Sequence, residues 1–162
     1  MVRQTTAKIL TLLVAVTILA IEPADIDLVS FAMMRHATAQ ARLTYSFLHV
    51  NFLHALCNAW CLLSLAFVYR ASIWQLFVAY GIAVTVPECL LTTTPTVGAS
   101  AMCFALMGML FYNVIRKAMY FSWVAATIAV GAFFPSANAL LHLYCFAAGL
   151  AIGFLDYPCL RR

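Results

Sequence analysis

Five side chains stand out because their surroundings do not suit them: His49, His54, Asn58, Ser100 and His142 all lie within or beside long apolar runs. Placing an ionisable group in lipid is costly, so each histidine is by default a pointer to function. A serine becomes a nucleophile when a base takes its proton, and imidazole has the pKa best suited to that at neutral pH. Ser100 and His142 are the right types for such a pair. The oxyanion formed by attack on a carbonyl then needs preorganised donors. The Ser100 backbone N–H at a helix start, the His54 ring and the Asn58 amide are candidates for that role. No acid stands ready as a third member. Asp156 follows His142 on one helix at a distance of roughly 21 Å, and Glu88 sits near the outer end of another segment, so a dyad is expected.

The elements that must hold these groups are dictated by composition. Of 162 residues, 66% are hydrophobic and 9% charged, and the mean hydropathy is +1.00, whereas a soluble domain is roughly a quarter charged. The reading is an all-α integral membrane protein, one domain over residues 1–162, surrounded by the lipid bilayer. The net charge of +4 is carried by nine Lys and Arg placed singly or in pairs. They form no basic stripe, which argues against a nucleic-acid partner. Six scattered cysteines fit neither a disulfide framework nor a zinc knuckle, and neither a metal nor a cofactor is expected.

Apolar runs at about 8–22, 47–68, 72–91, 98–115, 118–134 and 138–157 read as six transmembrane helices. Residues 22–46 read as an amphipathic loop at the interface. The first run follows Arg3 and Lys8 in the manner of a signal peptide, but no convincing small-x-small cleavage site follows, so it is read as a span. Arg3, Lys8, Arg70, Arg116, Lys117, Arg161 and Arg162 fall on one side of this arrangement, Arg35 and Arg42 on the other. By the positive-inside rule both termini are cytoplasmic. His49, His54, Ser100 and His142 then all lie in the outer half of the bilayer, with Ser100 and His142 roughly 3 to 6 Å from their helix starts. His54 and Asn58 share a helix face, whereas His49 on the same helix points roughly 140° away, so the two histidines cannot easily serve one metal. Cys145, Gly149 and Gly153 form one small-residue stripe and Gly98, Ala101, Ala105 and Gly108 another. Such stripes let helices approach closely, and on their own they also fit ordinary helix packing. His36, in the polar loop, reads as solvated.

The run His49-Val-Asn-Phe-Leu-His54-Ala-Leu-Cys-Asn58 resembles the second-helix pattern of the rhomboid family, and Gly98-Ala99-Ser100 resembles its Gly-x-Ser motif. Ala105-Leu-Met-Gly108 follows the serine as in bacterial rhomboids, and His142, Gly149 and Asp156 are spaced similarly to the family's last helix. The resemblance covers roughly residues 42–156. It implies a six-helix rhomboid-like bundle, Ser100 as nucleophile, His142 as general base and acid, and His54, Asn58 and Ser100 N–H as oxyanion donors. Gly98 and Gly149 are implied as supporting residues, Phe104 as the aromatic beneath the histidine, and His49 as a loop-bracing partner. It further implies single-span membrane protein substrates that enter between the second and fifth segments and are cut near the outer face, in a multi-pass protein of the bacterial inner (plasma) membrane.

Three positions depart from the pattern. Ala101 and Cys145 replace glycines, which predicts slightly wider helix spacing, and Ala41 replaces the tryptophan that usually precedes Arg42, which predicts weaker anchoring of the first loop. Two rival functions stand beside the serine protease. A catalytically inactive rhomboid-like protein would bind membrane helices, and is opposed by the intact Ser100, His142, His54 and Asn58. A small transporter or channel would want several polar faces along a path, which the third and fifth segments do not offer.

Overall fold

The computed structural model describes residues 2–21, 27–133 and 137–156. Within them the α-helices are α1 (Val2–Ala20), α2 (Ala39–Thr44), α3 (Phe52–Phe67), α4 (Ile73–Val84), α5 (Ser100–Leu110), α6 (Lys117–Gly131) and α7 (Ala139–Asp156). Among the described residues the only extended pairing is an isolated antiparallel bridge between Met33 and Thr96. Residues 22–26 of the expected loop, and Arg161 and Arg162, used above for the orientation, lie outside the described residues.

Helices α1, α3, α4, α5, α6 and α7 fall on the six expected segments, but most are shorter than expected. Among the described residues only α7 is by itself long and apolar enough to cross a bilayer, while α1, α4 and α5 with its following turn are shorter apolar helices. Local chemistry explains the trimming. α4 stops at Val84, seven residues before the expected end, because Pro87 disfavours helix in the residue before it and cannot donate to the ladder. α3 begins at Phe52 and not at 47, because the Asn51 side chain caps it and residues Tyr45–Phe47 form a separate 3₁₀ turn. α2 and that turn meet α3 at a bend of 84°. α1 begins earlier than expected, at Val2.

α5 is the axis of the molecule. Nine of its eleven residues are buried, among them Ala101, Phe104, Ala105 and Gly108, as befits a helix that is apolar all round. It packs most extensively on α7, then on α4 and α3, while α1 lies outside against α3. Lys8 Nζ sits 5.2 Å from the centre of the Phe67 ring, tying the first half of α1 to the last turn of α3. A Cβ on Gly149 would overlap the Ala105 backbone, and one on Gly108 would overlap Phe146 and Leu150. The two small-residue faces therefore meet with backbones in contact. Gly98 is not part of the α5 face: it precedes the helix, with φ +125°.

The first loop is firmly held despite Ala41. Arg42 Nη1 donates to the carbonyls of Val84 and Val86 at 3.4 and 2.9 Å, at the end of α4. The fully buried Tyr45 donates to Ala83 O at 2.9 Å, and Tyr80 donates to Leu43 O at 2.7 Å. Arg42, Tyr45 and Tyr80 thus tie residues 42–45 to α4. The loop is also more structured than a plain interfacial segment, since Thr38 caps α2 through Ala41 N. Asp27 accepts from the Ser30 hydroxyl and Val29 N–H, which holds its exposed carboxyl below the usual range. His36 is exposed but not merely solvated: Nδ1 lies 2.6 Å from Glu88 Oε1, which also accepts from the His36 backbone N–H.

Candidate active site

Two helix starts and one loop converge at one end of the bundle. α5 begins at Ser100, so the Ser100 N–H belongs to the first turn, where no intrahelical partner exists. α7 begins at Ala139 under the cap of Asn138, whose Oδ1 accepts from Leu141 N–H at 3.0 Å and whose Nδ2 donates to Leu90 O at 3.2 Å. His142 is thereby placed in the first turn of α7. Its Nε2 lies 2.8 Å from Ser100 Oγ. The two side chains meet in spite of Ala101 and Cys145, both of which are fully buried.

Phe104, one turn after Ser100, stacks on the imidazole, with centroids 4.6 Å apart and planes 30° from parallel. The histidine is therefore held by a hydroxyl at Nε2 and by a ring against its face. Among the described residues no carboxylate bonds to it: Asp27 serves Ser30 and Val29, and Glu88 serves His36.

His54 and Asn58 come from α3. Asn51 Oδ1 accepts from His54 N–H at 2.9 Å, fixing where the helix starts and hence where His54 stands. One turn later Asn58 is buried, and its Nδ2 has no hydrogen-bond partner. Both groups close on Gly98: a Cβ there would sit 2.9 Å from His54 Nε2 and 3.1 Å from Asn58 Nδ2. Glycine is required twice over, by the positive φ and by the space these two side chains occupy. A buried amide donor without an acceptor is expensive, and native structures keep one chiefly where something else uses it.

His49 is not on α3. It lies in the turn before Asn51, so the helical-phase argument that it points away from His54 fails: the two rings are 4.9 Å apart and edge-on. Its Nε2 accepts from Ala99 N–H at 3.4 Å, bracing the backbone that leads into Ser100. Among the described residues no cluster of three or more His, Cys, Asp or Glu is arranged to hold a metal ion. The loop before α5 is further fixed by Gly98 N–H donating to Tyr45 O at 2.9 Å and by Met33 and Thr96 exchanging backbone bonds at 2.8 and 3.1 Å. In front of Ser100 and His142 lies a cavity of about 290 Å³, also lined by His54, Asn51, Thr96 and Val97.

Sequence reasoning missed Asn51, Asn138 and Tyr45 as positioning residues. An asparagine directly before an apolar run is a helix-start signal, so the first two were legible in principle. Tyr45 carried no such signal, because its partners Ala83 and Gly98 are distant in sequence.

The arrangement is an all-helical bundle with a hydrogen-bonded serine and histidine facing a cavity, an unpaired amide donor close by. The family described as Rhomboid domain matches residues 38–159. The chain belongs to the rhomboid family and is a membrane protein. No curated protein and no solved structure gives a significant match.

Proposed function

We propose that this protein is an intramembrane serine endopeptidase that uses the Ser100–His142 dyad to cut single-span membrane protein substrates near the outer face of the bilayer. The observation that carries this is the 2.8 Å approach of Ser100 Oγ to His142 Nε2, across two helices locked by glycine contacts.

The chemistry follows from the geometry. With Nε2 unprotonated, the Ser100 hydroxyl donates to it, and attack on a peptide carbonyl passes that proton to His142 as the Oγ–C bond forms. Charge builds on the former carbonyl oxygen, which Ser100 N–H, His54 Nε2 and Asn58 Nδ2 are placed to receive. Removing one such donor typically costs about 2.7–4 kcal/mol. On collapse the C–N bond breaks, the amine leaves with the proton from His142, and an ester to Ser100 remains. Water, deprotonated by His142, then hydrolyses the ester and returns the proton to Ser100 Oγ.

The depth of the site fits a substrate within the membrane. α5 has eleven residues and is about 16 Å long, roughly half of a hydrocarbon core about 30 Å thick. With its C-terminal end at the inner face, a helix that short would set Ser100 below the outer surface, and Thr96 and Val97 of the irregular backbone before it line a cavity, the one setting in which such backbone is tolerated at depth. In our reading the chain crosses six times with both termini cytoplasmic, as the placement of Arg70, Arg116 and Lys117 supports. The bacterial-type motif around Ala105–Gly108 favours the bacterial plasma membrane.

The test is cleavage of a single-span substrate by purified protein in liposomes. Wild type should cut it, and Ser100→Ala and His142→Ala should each abolish cutting. Unchanged cleavage by Ser100→Ala would overturn the nucleophile. A fluorophosphonate probe should label wild type on Ser100, and absence of labelling beside a labelled control rhomboid would favour an inactive binder.

A further inference from the structure

At the end of the bundle opposite the dyad, two cavities run into each other. One is a crevice of about 230 Å³ between α3 and α6, walled by Leu65, Tyr120, Trp123 and Val124 and floored by Met107 of α5. It exists because α6 is held mainly by α7 and the turn at 111–113 and stands off α3. The second is a wide hollow of about 990 Å³ lined by Gln4, Arg70, Asn113 and Arg116. Tyr69, Val114 and Arg116 border both, so the apolar crevice opens at its rim onto a hollow lined by Arg70 and Arg116.

Among the described residues Arg70 and Arg116 have no ion pair, and no carboxylate lines either cavity. Arg70 is also held where its side chain is costly to place. Its φ of +59° is left-handed, a conformation glycine adopts at less cost, and the reversal lets Ala71 N–H return to Leu65 O at 3.0 Å. An arginine kept at a position suited to glycine draws attention to its charge.

From this juxtaposition we infer that the crevice and hollow form a binding site for an anionic phospholipid, with the phosphate between Arg70 and Arg116 and an acyl chain along the α3–α6 crevice. The shape selects an amphiphile, since an apolar slot ends in a cationic mouth. The charge selects an anionic headgroup, because guanidinium binds phosphate in bidentate fashion. Charge complementarity and the lipid surroundings together choose a membrane phospholipid over a soluble anion. The orientation proposed above makes this an inner-leaflet lipid, occupying the gap between α3 and α6 from the side away from Ser100.

The site is testable without any cleavage assay, so its failure and failure of the protease reading are separable. Full-length Ser100→Ala protein with Trp60→Phe and Trp74→Phe, leaving Trp123 as the sole tryptophan, is placed in phosphatidylcholine nanodiscs. Small mole fractions of chain-brominated phosphatidylglycerol or phosphatidylcholine are added as quencher. Brominated phosphatidylglycerol should quench Trp123 at far lower mole fraction than brominated phosphatidylcholine. Adding Arg70→Gln and Arg116→Gln should weaken that preference about thirty-fold, the worth of two basic side chains at a membrane surface. Thr127→Phe, which fills the crevice from exposed α6 without touching either arginine, should reduce quenching by the anionic lipid. Equal quenching by the two lipids, an unchanged preference in the double arginine variant, or full displacement by millimolar inorganic phosphate would each overturn the proposal.

Discussion

The Phe104 ring lies against the His142 imidazole at 4.6 Å and 30°, on a helix different from that of the histidine. Among the described residues no carboxylate orients this imidazole, so the stack and the Ser100 hydroxyl are its restraints. Aromatic stacking of this kind is worth about 0.5–1.5 kcal/mol beyond area. Phe104→Leu should therefore lower kcat by roughly two- to ten-fold with KM little changed, and Phe104→Tyr should keep wild-type turnover. Steady-state cleavage by the three proteins decides it, and a change confined to KM would show that the ring contacts substrate instead.

Asn138 sets where α7 begins and ties that start to Leu90. Asn138→Ala removes both functions and should cost about 0.5–2 kcal/mol of stability as a lost cap. Turnover should fall as well, because His142 sits in that first turn. Asn138→Ser keeps an acceptor for Leu141 N–H but cannot reach Leu90 O. Its melting temperature should recover while its turnover recovers only in part. Thermal melts paired with cleavage rates separate the two contributions, and full recovery of both by serine would remove any role for the Leu90 tether.

Legibility in the sequence divided along physical lines. The six apolar segments and the small-residue faces of α5 and α7 were readable, because hydropathy and helical spacing are local properties, whereas the grouping of Ser100, His142, His54 and Asn58 was implied by the family resemblance. Helix ends were not readable. α4 was drawn through Pro87 and α3 was begun at Phe47, since apolar composition continues past the residues that stop a helix. The second error misplaced His49: treated as helical it pointed away from His54, whereas in the turn it packs edge-on against it. The His36–Glu88 contact and the Arg42 anchor join residues far apart in sequence, and no periodicity reports such pairs.

Gly149 and Ala105 are in backbone contact, so the separation of α5 from α7 has no slack on the closing side. Gly149→Ala puts a methyl group where the Ala105 backbone lies, and overpacking of this kind costs about 1–3 kcal/mol. The displaced helix carries His142 away from Ser100. Activity should therefore fall further than stability alone accounts for, and fluorophosphonate labelling of Ser100 should slow in parallel. Gly81→Ala is the control, because a Cβ there meets nothing within 4 Å. Loss of labelling in both variants would point to general fragility.

Asn58 offers the sharpest separation of stability from activity. Its Nδ2 is buried without a partner, a desolvation cost that the proposed oxyanion would offset on forming. Asn58→Leu keeps similar volume and removes that orphan donor. The melting temperature should stay level or rise, while kcat falls about a hundred-fold or more, the usual cost of losing one oxyanion donor. His54→Ala should behave similarly in kcat, and the double variant should lose less than the product of the two single losses if both donors serve one oxygen. The opposite pattern, a lowered melting temperature with activity reduced only in proportion, would make Asn58 a packing residue and leave the oxyanion to Ser100 N–H and His54.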